Sequence, residues 1–200
     1  MVITRRGFAL LALVLAIGAL AAAPQRAVAQ GDPVAFINQL GTQAIQVLGK
    51  NVPPTQRLQR FRELFASDFD IPGIGQFVLG RYWRVATPQE QQDFLRLLNE
   101  YLAQAYSARL AEYAGEPFHA LSARPNGDET VVNSEIVRGD GNKIRVDWYL
   151  VDRGGWKITD AYVAGVSMKI TQRDEFGSVI QQGGGSVQYL LDRIRQKVSG

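Results

Sequence analysis

The sequence predicts an α+β domain, with helices first and an antiparallel sheet after them. Three observations carry this. Apolar residues recur at steps of three and four from Val34 to Tyr113, the spacing of one helix face. After Pro117 the period drops to two, the spacing of a half-buried strand. The turns between the later segments are short and glycine-rich, as hairpins require. The expected architecture is a four-stranded antiparallel meander sheet wrapped by helices, with one long helix over its concave apolar face.

Asp32-Pro33 opens a first helix with Val34, Phe36, Ile37, Leu40, Ala44, Ile45 and Leu48 on its stripe. Gly49 and Pro53-Pro54 close it. A second helix carries Leu58, Phe61, Leu64 and Phe65, and Asp70-Ile71-Pro72-Gly73 interrupts the pattern before a short apolar helix from Ile74 to Leu79. Thr87-Pro88-Gln89-Glu90 is a capping box with proline at the first helical position. The helix it starts repeats apolar residues at 94, 97, 98, 101, 102, 105, 106, 110 and 113. Gly115 and Pro117 stop it after roughly 40 Å.

Four strands follow, at Phe118 to Ala123, Thr130 to Arg138, Lys143 to Asp152 and Trp156 to Val163. Alternation puts Ile144, Val146, Trp148 and Leu150 on one face of the third, and Arg145, Asp147 and Tyr149 on the other. On the fourth strand it groups Trp156, Ile158, Asp160 and Tyr162. Helical spacing returns from Met168 to Gln182 and from Ser186 to Val198, with Gly183-Gly184-Gly185 as the turn between them.

The amino terminus reads differently. Arg5 and Arg6 precede an apolar run from Phe8 to Ala23, and Ala27-Val28-Ala29 is a small-residue cleavage site before Gln30. This is the pattern of a secretory signal peptide over 1–29, with a single mature domain at 30–200. Thr4-Arg5-Arg6-Gly7-Phe8 also fits a twin-arginine signal, so the export route stays open. Setting aside Arg5, Arg6 and Arg26 leaves 19 Lys+Arg against 19 Asp+Glu. The basic balance of the whole chain therefore belongs to its export signal and predicts no nucleic-acid partner. With no cysteine, the mature domain carries no disulfide and no acylated cysteine. A signal without an anchor predicts a free periplasmic protein.

The inventory disfavours most catalysis. His119 is the one histidine and sits on the first strand; there is no G-x-S-x-G elbow, P-loop or G-x-G-x-x-G. One histidine without cysteine predicts no metal centre, and no cofactor is implied. Carboxylates leave one opening. Domains of the nuclear-transport-factor-2 type can keep an acid/base carboxylate in an apolar pocket, where burial raises its pKa. Asp147 falls on the solvent side, so Asp160 is the candidate for a small isomerase or hydratase; a structural Asp bonded to a nearby turn is the competing reading.

The long helix carries Phe94, Tyr101, Tyr106 and Tyr113 among its leucines. These rings serve either as ordinary core or as the wall of a cavity, and periodicity does not separate the two. Val78-Leu79-Gly80-Arg81-Tyr82-Trp83, Ala86-Thr87-Pro88, Phe94, Tyr101-Leu102 and Ala105-Tyr106 form one set of blocks. Gly155-Trp156-Lys157-Ile158-Thr159-Asp160, Gly165-Val166-Ser167-Met168 and Gln172-Arg173-Asp174-Glu175-Phe176 form a second. In order and spacing these resemble the MlaC family of periplasmic phospholipid-binding proteins, also called toluene-tolerance auxiliary components of an ABC transporter.

The resemblance implies a nuclear-transport-factor-2-like sheet wrapped by helices, with acyl chains held between them. It implies a non-enzymatic shuttle of phospholipid between an outer-membrane lipoprotein complex and an inner-membrane ABC transporter, which maintains outer-membrane lipid asymmetry. Related proteins accompany hopanoid biosynthesis, so a hopanoid is the alternative cargo. A monomer suits a shuttle. The expected lipid-binding residues are Val78, Tyr82, Phe94, Leu98, Tyr101, Tyr106, Val146, Trp148, Ile158, Val166 and Met168. A charge at Val166 is then expected to abolish binding; Arg81, Arg84 and Arg109 are the candidates to touch a phosphate, with plain surface arginine as the favoured reading of each.

Overall fold

The computed structural model describes residues 31–47 and 52–199. The expected signal peptide over 1–29 lies outside them, as do Leu48 and Gly49 at the expected end of the first helix.

Six helices and a five-stranded antiparallel sheet form the described domain: α1 (Pro33–Val47), α2 (Pro54–Asp68), α3 (Ile71–Leu79), α4 (Pro88–Leu110), β1 (Phe118–Asn126), β2 (Glu129–Val137), β3 (Lys143–Asp152), β4 (Trp156–Val163), β5 (Val166–Ser167), α5 (Met168–Gln182) and α6 (Val187–Ser199). The strands lie in chain order from β1 to β5. The fifth corrects the expected count of four. A two-residue strand is too short to show a period in sequence.

Local chemistry accounts for the boundaries. At α4 the Thr87 hydroxyl accepts from the Glu90 amide (3.2 Å), and Glu90 Oε2 accepts from the Thr87 amide (2.8 Å), closing the capping box. α3 begins three residues earlier than expected because Asp70 caps it, its Oδ1 accepting from the Gly73 amide at 3.1 Å. Pro72 then sits in the first turn, where no amide hydrogen is needed. β1 runs on through Pro125, which the sequence assigns to a turn. The missing donor is tolerated because β1 is the edge strand.

α4 has 23 residues, about 35 Å of helix, and packs on α2, α3 and α6. Its amino-terminal two-thirds is enclosed among helices, where Phe94, Leu98 and Leu102 are fully buried. The Phe176 ring of α5 meets the rings of Phe94 and Tyr101 edge-on, at 6.0 and 5.2 Å. Only the carboxyl-terminal end of α4 faces the sheet.

A bulge in β4 alters the expected faces. Tyr149 pairs with Asp160 but Leu150 pairs with Ile158, so Thr159 is the extra residue. The phase of β4 flips there: Ala161 and Val163 pair with Trp148 and Val146 and join their apolar face. Asp160 and Tyr162 turn to the opposite face, where the Tyr162 ring lies 4.9 Å from that of Tyr149. The expected grouping of Ile158 with Asp160 and Tyr162 is corrected accordingly.

Candidate functional site

Between the sheet and the carboxyl-terminal end of α4 lies an apolar cavity of about 140 Å³. β3 contributes Ile144, Val146 and Trp148, and β4 contributes Ala161 and Val163. The roof is Tyr106 and Leu110 of α4 with Tyr113 just beyond, and Phe65 of α2 and Phe69, just past its end, close the inner end. α1 forms a side wall through Leu40, Gly41, Ala44 and Ile45. Phe118, Ile136 and Met168 complete the apolar lining, and Glu116 is the one carboxylate in it.

Polar groups near the cavity are turned away from it. The Trp148 indole donates to Ser134 Oγ at 2.9 Å, and that hydroxyl donates to the Val146 carbonyl at 2.9 Å. The indole ring can therefore present hydrocarbon to the cavity without stranding its N–H. Glu116 Oε1 accepts from the Gly139 amide at 3.2 Å. Tyr106 is the exception: its hydroxyl has no hydrogen bond to any described residue. Burial pushes its pKa up to about 12, against the opposing pull of the Arg109 guanidinium. Tyr106 is thus a neutral donor with its hydrogen unassigned. Exposed Arg109 and Arg138 stand over the rings of Tyr106 and Tyr113, at 6.0 and 5.8 Å from the centroids.

Of the eleven residues expected to bind lipid, four line this cavity: Tyr106, Val146, Trp148 and Met168. Val78, Phe94, Leu98 and Ile158 are placed instead in the close-packed core, at 2% exposure or less. Tyr101 packs on Phe176, and its hydroxyl donates to Glu175 Oε1 (2.9 Å) while Lys197 Nζ donates to it (3.1 Å). Tyr82 lies beside a separate cleft with Arg81, whose Nη2 donates to its hydroxyl at 2.8 Å. Val166 is 63% exposed on the β4–β5 turn, outside the cavity lining.

Sequence reasoning left out α1, Phe65, Phe69, Ala161 and Val163. A signal for α1 existed, because Gly41 and Ala44 are small residues within an apolar stripe. A β-carbon at Gly41 would stand 2.2 Å from Phe118 Cδ1, so α1 reaches the sheet only because that position is glycine. No comparable signal marks Ala161 and Val163, since a bulge is invisible to a strict period of two.

Asp160 is fully buried, and its carboxylate is saturated. Oδ1 accepts from the amides of Ala161 (2.8 Å) and Lys169 (3.0 Å), and Oδ2 accepts from Ser167 Oγ at 2.5 Å. Ser167 Oγ in turn accepts from the Ile170 amide at 3.0 Å, capping α5. The carboxylate ties β4 to the start of α5, near the positive end of that helix, and does not line the cavity. His119 is exposed on the edge strand. Among the described residues no His/Cys/Asp/Glu group has metal-binding geometry.

Comparison with known proteins places this geometry. The toluene tolerance protein ttg2D of Pseudomonas putida is 24% identical over 193 residues, covering 95% of this chain and 88% of that protein. The intermembrane phospholipid transport system binding protein MlaC of Haemophilus influenzae is 26% identical over 132 residues, covering 62% of this chain and 60% of that one. The fold matches the solved structure of a phospholipid-binding protein from Ralstonia solanacearum, in complex with a phospholipid. The TM-score is 0.70 and the identity 23%, over 84% of this chain and 97% of that one. The family model described as MlaC protein matches residues 38–196, and the chain belongs to the MlaC family.

Proposed function

We propose that this chain is a periplasmic carrier that takes up phospholipid acyl chains in the cavity between α1, α4 and the sheet. In this reading it moves lipid between an outer-membrane lipoprotein complex and an inner-membrane ABC transporter, and so maintains the asymmetry of the outer membrane. The observation that carries the reading is the cavity itself: a wall of aliphatic and aromatic groups whose neighbouring polar atoms, the Tyr106 hydroxyl apart, are satisfied elsewhere. Family membership, the phospholipid named for the Haemophilus and Ralstonia relatives and the signal-like pattern over 1–29 support it. No described helix is long and apolar enough to cross a membrane.

Magnitudes explain why such a cavity is needed. A buried methylene is worth about 0.8 kcal/mol, so a sixteen-carbon chain represents on the order of 12 kcal/mol. Water cannot be the intermediate against that barrier, whereas an apolar cavity that replaces most of the burial can. Chain burial supplies the binding, so no charged clamp inside the cavity is required.

Organic extraction of the purified protein, followed by mass spectrometry, tests the reading. Phospholipid in stoichiometric amount is expected. A hopanoid would keep the carrier and change its cargo. A protein that yields no lipid and takes none from vesicles would refute the reading and return attention to a small enzyme.

A further inference from the structure

The turn Val163-Ala164-Gly165-Val166 joins β4 to β5 beside the cavity. Ala164 and Gly165 both have positive φ, 50° and 84°, the pattern of a two-residue type I′ connection. Such turns favour Asn-Gly or Asp-Gly, because a short polar side chain tolerates the left-handed region. Alanine there carries strain that no side-chain hydrogen bond relieves. A polar residue would serve the turn better, yet the tip is apolar throughout.

It is also exposed. Val163, Val166 and Ile170 are 41%, 63% and 45% exposed. They are three of the six large apolar residues exposed among the described residues, so half of that exposure gathers within one short segment. The segment adjoins the cavity: Val163 and Met168 line it, and Val166 pairs with Val163.

Two cations lie within the same segment. From Ala161 to Arg173 the chain carries Lys169 and Arg173 and no acidic residue. Lys169 Nζ and Arg173 Cζ each lie 5.0 Å from the centroid of the Phe77 ring. Neither forms an ion pair with a described residue. Asp160 immediately precedes the segment but is fully buried, its carboxylate taken up by the Ala161 and Lys169 amides and the Ser167 hydroxyl. Exposed Asp174 and Glu175 follow the segment, and Glu116 stands elsewhere on the cavity lining.

We propose that this tip docks on an anionic lipid bilayer. Val163, Val166 and Ile170 enter the interfacial layer, Lys169 and Arg173 lie against lipid phosphates, and the cavity opens towards the membrane. An apolar turn beside unpaired cations is the arrangement that interfacial binding uses. A protein hot spot would show buried aromatic or arginine anchors, and this tip offers small aliphatic groups. The proposal rests on the carrier reading and adds that cargo is exchanged with the membrane directly.

Flotation with vesicles tests it, using phosphatidylcholine alone and phosphatidylcholine with added phosphatidylglycerol. The variants are Val166→Ser, Ile170→Asp and Lys169→Gln, none of them in the cavity lining. Ile170 lies in the first turn of α5, where an acidic side chain suits the helix, so Ile170→Asp should fold. The wild-type protein should float with the anionic vesicles in preference to the neutral ones, and less so as salt is raised. Ile170→Asp should lower the partition on the order of tenfold, with extracted lipid unchanged. Wild-type protein that floats with neither vesicle, or an Ile170→Asp variant that floats as the wild type does, overturns the proposal. If lipid is present in the protein but exchanges only with a membrane protein, docking on lipid is refuted and the carrier stands. If tip-dependent flotation occurs in a protein that neither holds nor takes lipid, docking stands and the carrier reading falls.

Discussion

Val146→Glu puts a titratable group where acyl chains are expected to lie. Val146 is 4% exposed on β3, and its side chain faces the cavity beside Tyr106, Trp148 and Met168. Among the described lining residues Glu116 is the one other carboxylate, and none is a lysine or arginine. The new carboxyl would therefore meet hydrocarbon without a cation to offset it. Kept neutral and without a partner, it costs about 1–3 kcal/mol. Each pH unit above the ordinary Glu value of about 4.3 adds about 1.4 kcal/mol to holding it protonated, so at about pH 8 a further 5 kcal/mol or so is lost. The total, about 6–8 kcal/mol, is about half to two-thirds of the burial of one sixteen-carbon chain. The sign follows from the raised pKa of the loaded state: loading is retained below the ordinary Glu value and lost as pH rises through the raised one. The assay is mass spectrometry of lipid extracted at about pH 5 and about pH 8, with circular dichroism confirming the fold and Val146→Gln as a variant that does not titrate. Wild-type lipid content in folded Val146→Glu at the higher pH would show that the chains lie elsewhere.

Three further outcomes are expected. Asp160→Asn should lower stability by about 1.5–3 kcal/mol, the worth of a hydrogen bond to a charged group, and leave lipid content unchanged; a loss of lipid without a loss of stability, read from urea midpoints, would contradict the structural role. The Tyr106 phenol should stay un-ionised until pH approaches about 12. Because its pKa is raised, that contribution to stability is full below the ordinary tyrosine value and is lost as pH climbs through the raised one; a spectrophotometric titration comparing the wild type with Tyr106→Phe tests this, and an ordinary tyrosine midpoint refutes it. Gly41→Ala should cost about 1–3 kcal/mol, since the new carbon stands 2.2 Å from Phe118 Cδ1, and should speed lipid release to acceptor vesicles. Unchanged stability and release would show that α1 is not held as described.

The elements were legible because each carries a local signal. The capping box, the change of period after Pro117 and the glycine turns need no tertiary information, and the α+β order of the structure follows them. The cavity was half legible. Tyr106, Val146 and Trp148 follow from the aromatic stripe and the strand face, Met168 from a sequence block, and Ile144, Leu110 and Tyr113 lie on the same stripe and face. Phe94, Leu98 and Tyr101 carry the same spacing but belong to the end of α4 that helices enclose. A stripe records that a face is buried without recording what buries it. Val166 was drawn in by its neighbours in a sequence block, while its position on a tight turn leaves it in solvent. The β4 bulge redirected Asp160, because one inserted residue changes which side chains share a face.

The size of the cavity bears on how a carrier unloads. At about 140 Å³ it is smaller than the roughly 300–1,000 Å³ of ordinary ligand pockets, so in the carrier reading an acyl chain of full length would enter only as the walls part. α4 is held by α2, α3 and α6, and the sheet by its own ladder. α1 packs chiefly on β1, with the Asn38 side chain accepting from the Ala120 amide at 3.0 Å and Gly41 against the Phe118 ring. It is the wall with least to lose by moving. Opening it exposes Leu40, Ala44 and Ile45, and that cost subtracts from what the chain gains by burial. A slot already shaped to its cargo would match the bilayer in burial and add close packing, which liquid acyl chains lack, and release would stall. In the carrier reading, a wall that must be opened would offset the surplus and keep the two affinities comparable, so that a brief contact with an acceptor would suffice to unload. The Gly41→Ala variant weights this balance directly: lifting α1 from Phe118 lowers the cost of opening, and faster release at unchanged cargo is what that predicts.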